Sequence, residues 1–298
     1  NAMDFGDPAP IWKLYSYDGT SVQELADLPT GGGGGQAVQD YWRHVDFFGD
    51  ADHLFWKQVN NVTGVEAHVL DRSTGVVTPI DIQAGPADGG AWGDAVFANG
   101  RFFWQADTAD ITESMRLYTT IDGTVAAPVT GPELLEGYQF PWLPTAIGDK
   151  VYFLGASVSP AQGGSGTWAV FEINSDGTQG TPDDVLAAQI SPDSFGYIYG
   201  LTSIASDLYF FENENGFDQM WRMKPGQAPE PLTAFTQDGG FMADIFQGGD
   251  GNTYFSRAEP STGRELWVLD AGLSAGARLV VDLNTQSATE GYMPAQLV

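Results

Sequence analysis

The chain has 298 residues, of which 39 are acidic and 12 basic, for a formal net charge of −27, and it contains no cysteine. Without cysteine there is no disulfide framework, thiolate nucleophile or thiolate metal site, and a charge of this sign repels the phosphate backbone, so nucleic acid is not an expected partner. Aromatic residues at 13%, 38 glycines and only 17% charged residues suit many short strands joined by tight turns, and no run approaches the ~20 apolar residues that span a bilayer.

Read from its start, the chain opens with Asn1-Ala2-Met3, which has the look of a cleaved expression-tag remnant and is set aside. A short extended segment around Phe5 precedes Pro8 and Pro10. Then comes the first long strand, centred on Tyr15 and ending in the turn Asp18-Gly19-Thr20, with a partner strand at Val22–Leu28. The glycines 31–35 form a flexible linker: no strand, loop and helix context and no following Lys makes them a phosphate loop.

From here one pattern recurs. An apolar-aromatic pair follows a turn at Leu54-Phe55, Phe102-Phe103, Tyr152-Phe153, Tyr209-Phe210 and Tyr254-Phe255. Some 10 to 18 residues later a second strand carries an aromatic centre, giving Tyr15, His68, Tyr118, Phe171, Trp221 and Trp267, spaced 53, 50, 53, 50 and 46 residues apart. Helical periodicity is nearly absent; Glu133-Leu134-Leu135-Glu136 fits at most one turn. Six copies near one period, each with four short extended segments, predict an all-β chain: a six-bladed β-propeller of four-stranded antiparallel blades, folded as a single domain over residues 1–298. With strands A to D running from channel to rim, the last blade reads as 241–246, 253–257, 265–269 and 278–283. The ends supply strands for a shared closing blade: three N-terminal strands (residues 3–6, 12–17 and 22–28) and one C-terminal strand (292–298), so that no edge is left open.

The last copy, Glu265-Leu266-Trp267-Val268-Leu269-Asp270 followed by Gly276-Ala277-Arg278-Leu279, resembles bacterial exported β-propeller repeats with ELWxxDGT-type motifs, the hyalin-like repeat proteins. Asp18-Gly19-Thr20, Asp122-Gly123-Thr124 and Asp176-Gly177-Thr178 keep only the turn of that motif. The resemblance implies the propeller fold and an extracytoplasmic setting (secreted, periplasmic or cell surface), and no defined activity.

Strand polarity puts the A to B hairpins (Asn99-Gly100, Gly148-Asp149, Ser206-Asp207, Gly251-Asn252) and the C to D turns at one end of such a fold. The longer B to C and D to A loops lie at the other end, where binding usually resides. At the entry to the channel strands stand Trp42, Trp92, Trp142, Tyr197, Phe241 and Tyr292, one per blade. These rings either stack on a flat ligand or plug the gaps between blades. Asp46, Asp94 and Asp244 lie on channel strands, where they either hold a cation or polarise water, or bond backbone amides. Asp50, Asp52, Asp149, Asp207 and Asp250 are turn formers. Calcium is the metal expected if there is one, since hard oxygen ligands abound, although no EF-hand loop occurs. Of the three histidines, His68 takes a strand's aromatic slot and is structural, His53 follows a hairpin and is expected to be exposed, and His44 lies on a channel strand without a nucleophile to complete a site.

Two functions follow from this reading. One is a non-enzymatic exported module, monomeric, that binds a carbohydrate or protein ligand through the long-loop face. The alternative is a hydrolase or lyase using carboxylates at the channel mouth.

Overall fold

Short apolar runs bounded by Asp-Gly and Asn-Gly turns pair into antiparallel sheets throughout the computed structural model. It describes residues 12–17, 19–28, 47–60, 64–80, 82, 95–106, 116–123, 127–129, 138–157, 167–176, 183–184, 198–214, 217–236, 242–259, 261–270 and 276–282. Among these residues there is no helix, and therefore none long and apolar enough to cross a membrane. The chain divides into two compact units, one made of residues 1–141 and 174–181 and the other of residues 142–173 and 182–298.

The first unit begins with a hairpin of β1 (Trp12–Tyr17) and β2 (Val22–Leu28), with the bounds expected from the sequence. Leu14 and Leu25 of this hairpin pack on the buried Trp56 and Leu70. Two four-stranded sheets follow: β3 (Phe48–Gly49), β4 (His53–Asn60), β5 (Gly64–Asp71) and β6 (Val76–Ile80), then β7 (Ala95–Ala98), β8 (Arg101–Ala106), β9 (Arg116–Thr120) and β10 (Ala127–Pro128). Each is a meander, with strands side by side in chain order. The middle strands are covered on both faces, which explains why β8 is apolar almost throughout and why Phe102, Phe103 and Trp104 are fully buried. Phe55 stacks on Phe102 at 4.8 Å, joining the two sheets of this unit in one core.

The second unit holds three more meanders. These are β11 (Tyr138–Ile147), β12 (Lys150–Ser157), β13 (Thr167–Asn174) and β14 (Asp183–Asp184); β15 (Ile198–Ile204), β16 (Asp207–Glu214), β17 (Phe217–Met223) and β18 (Glu230–Pro231); and β19 (Met242–Gln247), β20 (Thr253–Glu259), β21 (Gly263–Leu269) and β22 (Ala277–Val281). The first four residues of β11 and Asn174 at the end of β13 fall in the first unit by this division. The last sheet has the four strands read from the sequence to within a few residues at each end. The segments expected to complete the closing blade, residues 3–6 and 292–298, lie outside the described residues, as does the turn at 133–136.

Register corrects one feature of the repeat. Phe255 pairs with Trp267 and Phe210 with Trp221, but in the first unit Trp56 faces His68 and Trp104 faces Tyr118. The second-strand positions equivalent to Phe255 are thus Trp56 and Trp104, one residue later than the pairs Leu54-Phe55 and Phe102-Phe103 suggest. Three apolar residues run together in each of those strands, so alternation does not say which one faces the partner, and only pairing decides. Each buried ring meets its neighbour on the next strand: Trp56 and His68 at 5.8 Å, Trp104 and Tyr118 at 6.0 Å, Phe153 and Phe171 at 5.5 Å, Phe210 and Trp221 at 6.4 Å.

The hairpins between first and second strands also differ in detail. Asn99-Gly100 is a two-residue turn with both residues at positive φ, as expected of the primed type. The turn before β16 is Ala205-Ser206, one residue earlier than expected, and Ala205 carries φ +57°. Before β20 the chain spends five residues, Gly248 to Asn252, closed by the Gly248 amide on the Asn252 carbonyl.

Candidate active site

The first strand of the last sheet carries a β-bulge between Ala243 and Phe246, where two residues oppose the single Phe255. Asp244 is the first of the two. Its φ of +57° is a left-handed conformation that side chains other than those of Asn, Asp and Gly rarely adopt. It is exposed, and a bulge of this kind re-aims a side chain out of the regular alternation.

Behind the carboxylate lie two residues from the following strands. Ser256 of β20 is fully buried, and its Oγ–H donates to Asp244 Oδ2 at 3.1 Å. Arg264, half-buried at the start of β21, donates from Nη1 to the same Ser256 Oγ at 3.2 Å. A guanidinium only donates and a carboxylate only accepts, so between these two the serine hydroxyl must accept from Arg264 and give its own proton to Asp244. An exposed carboxylate with one oxygen held by a hydrogen bond can accept a proton from water or from an acidic C–H at the other.

Beside this row the same sheet buries a charge. Arg257 is 1% exposed; its guanidinium lies 3.8 Å from the centre of the Phe235 ring and 5.3 Å from that of Trp267, and it is ion-paired with Glu259. Phe235 is held in place by Gln219 of the preceding sheet, whose side-chain amide donates to the Phe235 carbonyl at 2.8 Å and accepts from the Phe235 amide at 2.9 Å. Stacking of the guanidinium between rings and its pairing with a carboxylate offset the cost of burying it. This cluster joins two sheets of the second unit and shuts the guanidinium away from solvent.

Of the mouth rings and first-strand acids singled out in the sequence, Asp244 is the one whose side chain is described. Asp46, Asp94, Trp42, Trp92, Tyr197, Phe241, Tyr292 and His44 lie outside the described residues, and Trp142 is placed on β11 by its backbone alone. His68 is fully buried against Trp56, with Nδ1 3.2 Å from the Glu66 carbonyl oxygen, and burial pushes its pKa down to about 4. It is a neutral core residue. His53 is half-buried, not exposed, because it opens β4 with its ring 6.1 Å from that of Phe55. Asp50 behaves as a turn former, its Oδ1 accepting the amides of Asp52 and His53, and those bonds hold its carboxyl below the usual range; Asp207 instead opens β16 and is ion-paired with Arg222. No group of three or more His, Asp or Glu that could hold a metal occurs among the described residues. Ser256 and Arg264 escaped the sequence reading. Nothing local marks them, because their contact depends on the register of three strands.

No family model matches the chain, and no curated protein is detectably similar to it. Its fold is that of solved β-propellers. The β-propeller domain of the Trilobed protease from Pyrococcus furiosus matches at 9% identity and a TM-score of 0.55, over 81% of this chain and 69% of that one. The acylaminoacyl peptidase of Pyrococcus horikoshii matches at 11% identity and a TM-score of 0.54, over 90% of this chain but 41% of the peptidase, so the chain spans less than half of that enzyme's length. An oligogalacturonate lyase, solved with manganese, matches at 13% identity and a TM-score of 0.50, over 79% and 72% of the two chains. These neighbours correct the reading of a non-enzymatic binding module: the propellers that resemble this one belong to peptidases and a lyase, and they favour the hydrolase or lyase alternative.

Proposed function

We propose that this chain is the β-propeller of a hydrolase that cleaves acylated peptide-type amides, with Asp244 as its general base. The observation that carries the reading is the exposed Asp244 carboxylate, fixed on a bulge by the buried Ser256 hydroxyl; the likeness to peptidase propellers supports it. Asp244 Oδ1 takes a proton from water, the water oxygen bonds to the acyl carbon, the C–N bond breaks, and the proton passes to the departing amine. The lyase neighbour supports a second reading, proton abstraction followed by elimination from an anionic sugar. Charge decides between the two. A chain with a net charge of −27 repels a polyuronate and draws in neutral or cationic substrates.

The same reading takes the propeller as six-bladed, with β1 and β2 in a closing blade completed by residues 3–6 and 292–298. It is supported by the five four-stranded meanders and the lone hairpin found among the described residues.

The test is turnover of N-acetylarginyl and N-acetylalanyl p-nitroanilides, with oligogalacturonate alongside. We expect release of p-nitroaniline, faster from the arginyl substrate, and a loss of about 10²- to 10⁴-fold in Asp244→Asn with the fold intact by circular dichroism. No turnover by the wild type, or wild-type rates in Asp244→Asn, would sink the hydrolase reading; unsaturated products from oligogalacturonate alone would replace it with the lyase.

A further inference from the structure

We infer that Ser256 and Arg264 are positioning residues for the Asp244 carboxylate, built into the last sheet as a matched set; this rests on the hydrolase reading above. The inference stands on two separate observations, one geometric and one from the neighbouring sheet.

The geometric one is the row of donors that crosses three adjacent strands. Arg264 on β21 donates to Ser256 on β20, and Ser256 donates to Asp244 on β19. The row fixes the direction of the serine proton, occupies Oδ2 and leaves Oδ1 as the oxygen facing a reactant. A charged donor behind the hydroxyl polarises it, so the bond to the carboxylate is stronger than one from an isolated serine. Because Ser256 is fully buried, its hydroxyl cannot turn to solvent and the carboxylate is held in one orientation.

The neighbouring sheet supplies the second observation. Its first strand carries a bulge at the same point, where two residues oppose the single Phe210, and the first of the two, in the place of Asp244, is Gly200. The residue after the ring is Phe211 there and Ser256 here. A Cβ on Gly200 would lie 2.6 Å from Phe211 Cδ2, so in that sheet the ring fills the space that the acid takes in the last one.

A positioning role predicts a loss in kcat at constant KM, because substrate binds through other groups while the base is misaligned. With N-acetylarginyl p-nitroanilide and the full chain, Ser256→Ala should lower kcat by about 10- to 100-fold with KM changed less than about twofold. Ser256→Thr keeps the hydroxyl and should restore kcat to within about threefold of wild type, while Arg264→Met should lower it by about tenfold. An unchanged kcat in Ser256→Ala, a loss expressed in KM, or a threonine variant as poor as alanine would overturn the inference while leaving Asp244 as the base. Wild-type activity in Asp244→Asn would instead remove the reading beneath it. If Ser256→Ala melts far below the wild type, Arg264→Met and Ser256→Thr decide the matter, since neither empties the buried site.

Discussion

The β15 to β18 sheet and the β19 to β22 sheet are built on one plan, and at three equivalent positions they chose opposite chemistry. Each has a bulge at the same point of its first strand. One fills it with Gly200 under the Phe211 ring, the other with Asp244 bonded to Ser256. Two residues beyond the buried ring, one sheet pairs Glu212 with Gln219 across its middle strands and the other pairs Arg257 with Glu265. All four of these side chains are buried to a tenth exposed or less. The scaffold is indifferent to which set it carries provided the set is internally matched, so a sheet can exchange a glycine under a ring for an acid bonded to a serine without altering its strands.

The comparison breaks most severely at Arg257. Its guanidinium is enclosed by Phe235, Trp267 and Glu259, and removing it empties a buried site and leaves carboxylates without their counter-charge. Arg257→Met should lower stability by about 3–5 kcal/mol in urea unfolding. A loss below 1 kcal/mol would show that the cluster is relaxed in solution.

A third sheet extends the comparison, since His68 occupies the slot that Trp221 and Trp267 fill in the other two. Burial lowers its pKa from 6.5 to about 4, so the unfolded chain binds a proton between those values that the folded chain refuses. Stability therefore rises with pH across that window and falls as pH drops from 6.5 toward 4, by on the order of 3 kcal/mol from this residue. His68→Phe should flatten that part of the pH–stability curve; an unchanged slope between wild type and variant would refute the assignment.

The smallest expected effect sharpens the bulge itself. Gly200→Asp copies the last sheet into its neighbour, where the new Cβ meets Phe211 and the backbone keeps φ +66°. It should cost about 2–3 kcal/mol, and the double variant Gly200→Asp with Phe211→Ser should lose less than the sum of the two single losses. Additive losses in the double-mutant cycle would mean that the two positions are not coupled.

Much of the fold was legible in the sequence because a period near 50 residues and strands bounded by Asp-Gly and Asn-Gly turns are local signals. The strands Trp12–Tyr17 and Val22–Leu28 and the four strands of the last sheet follow from them. Burial of His68 was legible too, as it sits in an aromatic slot. That Asp244 lies on the first strand of its sheet could be read, but its conformation and its partners could not. A bulge depends on pairing between strands, and the one-residue shift at Trp56 and Trp104 depends on it as well. Ser256 lies 12 residues and Arg264 20 residues from Asp244 along the chain, and only the register of three strands brings their polar atoms together. Periodicity determines which residues form strands and which faces are covered, because those are properties of one strand. Which side chain meets which across a sheet is a property of pairs, and the tertiary structure alone decided it.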